Sequence, residues 1–313
     1  MINGIISVYK EKGFTSHDVV AKLRGITKQK KIGHTGTLDP DAEGVLPVCF
    51  GNATRLCDML TNKDKTYEAV LKLGIETDTQ DITGKVLNTR EVTADKEQIE
   101  KAVLSFIGEY DQLPPMYSAI KVNGRRLYEL ARAGQEVARE TRKVKIHNIR
   151  ILEINEDQHE IRMSVDCSKG TYIRTLCHDI GNSLGCFGCM KSLIRTRSGI
   201  FTIENSYKLS EIESFIIKGT LPDYIIRVEE MFPDYAKIKV LQEYSKYIYN
   251  GNRFTVKHIA DEDKYLKTFV DKINDKENHM NQLVRVYDWQ EQFIGIYKYS
   301  CQDKSFIPVK MFL

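Results

Sequence analysis

The apolar residues of this chain change their spacing several times, and that switching limits the folds open to it. Tyr67, Ala69, Leu71 and Leu73 recur at every second position, as do Ile161, Met163, Val165 and Cys167. A period of two places one face of a strand on a core. Val19, Leu23 and Ile26 recur instead every third or fourth residue, as do Ile99, Val103 and Phe106, and then Ile173, Leu176, Ile180 and Leu184. That spacing is the stripe of an amphipathic helix. Further strands are expected at Gly4 to Tyr9, at VLPVCF after the glycine-rich stretch, and at Val144 to Ile154 as a hairpin partner of the 161–167 strand. A helix is expected over GNATRLCDML, and Thr15 or Ser16 is placed to cap the helix that carries Val19. Strands and helices mix without regular βαβ alternation, so the expected class is α+β.

From about Pro233 the character changes. A helix-like LQEYSKYIYNG is followed by short strands, including QLVRVYD and FIGIYKY around a four-residue turn. The reading is a larger domain over 1–233 and a small, mostly β module over 234–313. No run approaches the roughly 18 apolar residues of a membrane helix, and the N-terminus MINGIISVYKEKG lacks the features of a signal peptide. A cytoplasmic protein is expected. Seven scattered cysteines argue against a disulfide framework. The one close pair, Cys186-Phe-Gly-Cys189, lacks the further ligands of a structural zinc site, so reduced cysteines in a loop and no metal are expected.

Net charge is only +3, but its distribution is uneven. Between Lys121 and Lys145 eight Lys or Arg face three Glu, so this stretch carries +5 and the rest of the chain −2. A basic arm on a nearly neutral body suits a polyanionic partner, and on charge alone a solvated amphipathic face is an equal reading.

The densest chemistry lies in GHTGTLDPDAEG. Three glycines (Gly33, Gly36, Gly44), Pro40 and the acids Asp39, Asp41 and Glu43 suit a loop that brings backbone close to a ligand. The spacing matches neither a calcium loop nor a phosphate loop, and an acidic surface turn stays open as the plain alternative.

The string GHTGTLDPDAEGVLPV resembles the catalytic motif of the TruB family of tRNA pseudouridine synthases. Further similar strings follow in the family's order: KEKGFTSHDVV, DKTYEAVLKLG, TDTQDITGKV, PPMYSAIKVNGRRLYELARAG and CSKGTYIRTLCHDIG. The resemblance spans nearly the whole chain. It implies a pseudouridine synthase catalytic domain, with a mixed, mostly antiparallel sheet and flanking helices, followed by a PUA-like RNA-binding module. The implied activity isomerises uridine 55 in the T-loop of tRNA. No cofactor is implied, in keeping with the absence of a nucleotide-binding fingerprint. It also implies tRNA as partner, no obligatory protein partner, and a monomer.

Carried over residue by residue, the resemblance makes Asp39 the catalytic carboxylate and Arg174 the arginine that pairs with it, expected to grip it through two parallel hydrogen bonds. Tyr67 becomes the residue that stacks on the target base and acts in proton removal at C5. His34 becomes the histidine associated with extruding the nucleotide, Asp81 an acid near the pocket, and Leu193 an apolar lining residue. The basic segment, about 115–145, becomes a thumb over the T-loop, with Lys121, Arg125, Arg126 and Arg132 as phosphate candidates. The competing reading from another class is a tRNA-binding folding assistant whose cellular role does not depend on catalysis. Such a protein would not need Asp39, Tyr67 and Arg174 together.

Overall fold

A computed structural model describes residues 1–122, 124–260, 283–300 and 302–313. Strand β1 (Gly4–Lys10) leads into helix α1 (Ser16–Thr27). Thr15 caps α1, its hydroxyl accepting from the Asp18 backbone N–H while the Asp18 side chain accepts from the Thr15 N–H. Two orphan donors of the helix start are thereby satisfied. The glycine-rich stretch, expected to be loop throughout, begins inside β2 (Ile32–His34) and ends inside β3 (Glu43–Phe50). The helix expected over GNATRLCDML is divided: Gly51–Leu56 winds as a tighter 3-10 turn and only α2 (Cys57–Thr61) is α-helical.

Next come β4 (Lys65–Leu73), the hairpin β5 (Ile75–Thr77) and β6 (Val86–Thr89), α3 (Lys96–Leu104) and β7 (Gly108–Gln112). The basic segment folds as a small excursion: a two-residue hairpin, β8 (Lys121–Val122) with β9 (Arg125–Arg126), and then α4 (Leu127–Arg132). The chain returns through the long β10 (Arg142–Asn155) and its hairpin partner β11 (Glu160–Cys167). Then follow α5 (Ile173–Ser183), β12 (Gly188–Ser198), β13 (Phe201–Thr202) and α6 (Leu209–Ile217).

These strands form one mixed sheet in the order β1-β3-β12-β4-β11-β10-β7, with β2 beside β3 and β13 beside β12. Every pairing is antiparallel except the short parallel contact of β12 with β3. Strand β12 was not expected from the sequence. It corrects half of the assignment of the close cysteine pair to a loop: Cys189 lies on β12, whereas Cys186 is in the loop between α5 and β12, buried against the core. Helix α5 can approach β12 so closely because residue 181 is glycine: a Cβ there would lie 2.2 Å from the Gly188 nitrogen.

The second sheet, β14 (Ala236–Lys239), β15 (Phe254–Thr255), β16 (Leu283–Tyr287), β17 (Phe293–Ser300) and β18 (Ser305–Met311), runs in the order β14-β16-β17-β18-β15. Helix α7 (Ser245–Tyr249) is all that becomes α-helical of LQEYSKYIYNG. Residues 261–282, within the module expected over 234–313, lie outside the described residues. This sheet has its own core around Ile238, Val286 and Phe306, and a second apolar cluster joins it to the first sheet through Ile296 and Phe312 against Ile5, Val45 and Phe232.

Candidate active site

The loop from Thr35 to Ala42 joins the neighbouring strands β2 and β3 and crosses over the end of β12, so its backbone must be anchored from below. Several anchors do this. The Ser16 hydroxyl at the start of α1 accepts from the Leu38 N–H at 2.9 Å. The Gly13 N–H donates to the Pro40 carbonyl at 3.0 Å, and the Lys10 ammonium donates to the same oxygen at 3.1 Å. Lys10 is fully buried and also bonds the carbonyls of Glu11 and Phe14. Burial, and to a lesser degree the nearby Arg195 cation, pulls its pKa down to about 8 against the opposing pull of Glu43, Asp39 and Asp41. Leu38 and Ala42 insert into the main core, in the same cluster as Tyr67 and Leu193. Asp39 is left at the crest with 43% of its side chain exposed.

Arg174 meets it from the first turn of α5. Its Nε lies 3.1 Å from the Asp39 carboxylate. The two-bond grip expected from the resemblance is not what forms. Nη1 donates to the Thr79 carbonyl at 3.0 Å and Nη2 to the Tyr117 carbonyl at 2.8 Å, so only Nε faces Asp39. The reason is position: Arg174 is nearly buried between the turn that joins β5 to β6 and the base of the basic excursion, and the carbonyls there need donors. Arg174 therefore joins its own helix to three other stretches of chain, and Asp81, in the same turn as Thr79, lies 3.7 Å from Nη1. Asp81 mostly serves its own turn, accepting from the Thr79 and Thr83 hydroxyls and the Thr83 N–H. It backs the arginine more than it faces open space, with 18% of its side chain exposed.

Tyr67 projects from β4 and is 8% exposed. Burial pushes its hydroxyl pKa up, and the neighbouring Arg195 opposes that shift. Leu193, on β12, pairs in register with Ala69 and lies on the same face as Tyr67. His34 is half-buried at the end of β2, its ring edge-on to His17 with centroids 5.4 Å apart. Burial first, then the charges of His17 and Arg195, hold His34 below the usual imidazole value of 6.5.

The structure thus gathers Asp39, Arg174, Tyr67, Asp81 and Leu193 into one region, with His34 at the start of the same loop. Lys121, Arg125, Arg126 and Arg132 sit apart from it on the excursion. Lys121, Arg125 and Arg132 are exposed, and Arg126 donates to the Tyr128 hydroxyl at 2.8 Å. Arg126 and Arg132 both lie over the Tyr128 ring, at 5.8 and 5.6 Å. Two residues escaped the sequence reading. Tyr172, just before Arg174, is half-buried within the field of Asp39. Arg195 is a buried guanidinium beneath the loop, and no sequence pattern announces a buried arginine whose partners are backbone carbonyls.

The chain matches the model of the TruB family pseudouridylate synthase N-terminal domain over residues 24–173. It matches that of the tRNA pseudouridylate synthase B C-terminal domain over 174–232. It is 56% identical over its full length to a protein of Lachnoclostridium phytofermentans named tRNA pseudouridine synthase B, all of which is covered. It is 46% identical to one of the same name from Clostridium novyi, covering 94% of this chain and 95% of the other. Among solved structures, a Cbf5-Nop10-Gar1 complex superposes with a TM-score of 0.69 at 26% identity, covering 99% of this chain and 85% of the other.

Proposed function

Because the chain belongs to the TruB family of pseudouridylate synthases, we propose that it converts uridine 55 in the T-loop of tRNA to pseudouridine, with Asp39 as the catalytic carboxylate. The observation that carries this reading is the contact of Arg174 with Asp39 at 3.1 Å, on a loop whose Leu38 and Ala42 pack in the same cluster as Tyr67 and Leu193. The reaction breaks the bond from C1′ to N1, turns the base, forms a bond from C1′ to C5, and moves the C5 proton to N1. Nothing is consumed, so the protein must supply only position, charge and proton transfer.

Asp39 starts cleavage at the glycosidic region, held in direction by Arg174. Tyr67 lies against the detached base and takes part in removing the C5 proton. His34 stands where the nucleotide leaves its stack, a step that costs a few kcal/mol in a folded loop. Held neutral, its imidazole offers both a donor and an acceptor to the displaced groups. The excursion over 115–145 acts as the thumb on the T-loop, and the module over 234–313 adds a PUA-like RNA contact. The chain acts as a monomer without an obligatory protein partner.

The test is purified protein with unmodified tRNA transcript and nothing else, followed by mapping of pseudouridine. Product at the T-loop uridine is expected. Asp39→Asn, which keeps size and loses the charge, is expected to bind tRNA normally and give no detectable product. Turnover by that variant removes Asp39 from the role, and a folding-assistant activity that survives it separates the two functions.

A further inference from the structure

Arg195 on β12 is 1% exposed, the largest of the fully buried side chains. Among the described residues it has no ion-pair partner. A buried cation without a carboxylate is costly, and an apolar residue of similar volume would pack the position more cheaply. Guanidinium cannot shed its proton to escape the cost. It is retained because its donors are used: Nε donates to the Val45 carbonyl at 2.6 Å and Nη2 to the Gly36 carbonyl at 3.2 Å.

Strand register adds the third side. Arg195 is the direct partner of Tyr67 on β4 and of Gly44 on β3. Residues paired across an antiparallel ladder project to the same face, so the guanidinium and the phenol lie together. The guanidinium lies close enough to the Tyr67 hydroxyl for its charge to oppose the upward shift that burial imposes on the phenol. The approach of β3 is set by Gly44, which has a φ of +104°; a Cβ there would fall 2.2 Å from the Arg195 carbonyl oxygen. One cation thus ties both ends of the Asp39 loop to the strand position that faces Tyr67.

We propose that Arg195 is a positioning residue for the isomerisation, fixing Tyr67 relative to the Asp39 loop through its hydrogen bonds to the Gly36 and Val45 carbonyls and its place beside Tyr67 on the paired strand. This rests on the reading of Asp39 and Tyr67 given above. Arg195 does not reach the substrate. It acts by setting the distance between the group that opens the glycosidic bond and the group that serves C5, so its loss affects the chemical step more than tRNA binding.

The experiment is a double-mutant cycle with Arg195→Met, Tyr67→Phe and the pair together. Single-turnover rates at saturating tRNA, tRNA affinity and urea midpoints are measured for each. Arg195→Met is expected to slow the chemical step on the order of a hundredfold with affinity changed less than threefold. In the Tyr67→Phe background the same change is expected to cost less than tenfold, because the hydroxyl it orients is gone. Arg195→Lys, which keeps the charge in the core, is expected to restore much of the urea midpoint and little of the rate. A merely structural arginine predicts the reverse, with rate recovering alongside stability.

A second readout needs no turnover. With 3-fluorotyrosine at position 67, the fluorine resonance is expected to move in Arg195→Met and in Arg195→Lys. An unmoved resonance overturns the proposal. So does a rate loss under fivefold in Arg195→Met, or losses that multiply fully in the double variant. Wild type run alongside separates the two readings: inactive wild type refutes the enzyme assignment, whereas active wild type with active Arg195 variants refutes only this inference.

Discussion

Arg174 presents its donors to three different oxygens, and that division sets what a substitution does. Lysine keeps the charge, but a single ammonium cannot reach Asp39, the Thr79 carbonyl and the Tyr117 carbonyl together. Arg174→Lys should lose on the order of 2–4 kcal/mol of transition-state stabilisation, roughly a hundredfold or more in single-turnover rate. A fall of less than about fivefold would refute the pairing role. His34 gives a pH prediction. Its folded pKa lies below 6.5, so between that lowered value and 6.5 the unfolded chain binds more protons than the folded one. Stability is therefore complete above 6.5 and falls as pH drops through the window. His34→Gln should flatten that acid slope in urea titrations, and His17→Asn should raise the His34 pKa in an NMR titration; an unchanged value means His17 exerts no field there. Asp39, Tyr67 and Arg174 were legible through the strings around them, because each string carries local backbone requirements as well as a side chain. Arg195 was not, since its partners Gly36 and Val45 lie about 150 residues away and are carbonyls, which every residue possesses.

At the scale of elements, the excursion between β7 and β10 is the part whose role depends most on charge. Its base is fixed, because Gln112 pairs with Arg142 as the two strands close beneath it. Its own interior is small, with Leu127 and Leu130 buried and the cations Lys121, Arg125 and Arg132 exposed. If each of Lys121, Arg125, Arg126 and Arg132 meets a phosphate, neutralising one should reduce the log–log salt slope of tRNA binding by about 0.7–0.9. All four together should change it by roughly three. Affinity titrations at several salt concentrations, paired with single-turnover rates, check this. An unchanged slope with slower chemistry would instead give the segment a closing role. An unchanged slope and rate would leave it a solvated face. Its basic character was legible because charge needs no partner to be counted. Strand β12 was not: its register slips between Met190 and Ser192 and again between Arg195 and Arg197, and each bulge breaks the period of two that announces a strand. The bulges fall at Lys191-Ser192 and at Arg195-Thr196-Arg197, polar residues where a central strand normally shows apolar ones.

Across the whole molecule, the question is whether the second sheet is an appendage or part of the catalytic body. Two polar ties join its end to the first sheet's side: Arg55 donates to the Met311 carbonyl at 2.7 Å, and the Asn52 amide donates to the Phe312 carbonyl. The apolar contact is larger. Phe312 is 1% exposed and stacks on Phe293 at 5.6 Å, in the cluster that also holds Ile5, Val45 and Phe232. Val45 matters here, because its carbonyl is the one that Arg195 grips at the end of the Asp39 loop. Phe312→Ala would leave a cavity between the sheets and should cost about 3–5 kcal/mol. If the sheets share one cooperative unit, that loss must appear in both. Trp289, the chain's single tryptophan, lies in the turn between β16 and β17, so its fluorescence follows the second sheet. Far-ultraviolet circular dichroism follows the first, because α1, α3, α5 and α6 all precede residue 233. In urea, both transitions should move together to lower concentration in Phe312→Ala. A shift in the Trp289 signal alone would mean that the second sheet unfolds by itself and that the interface contributes little to the body carrying Asp39.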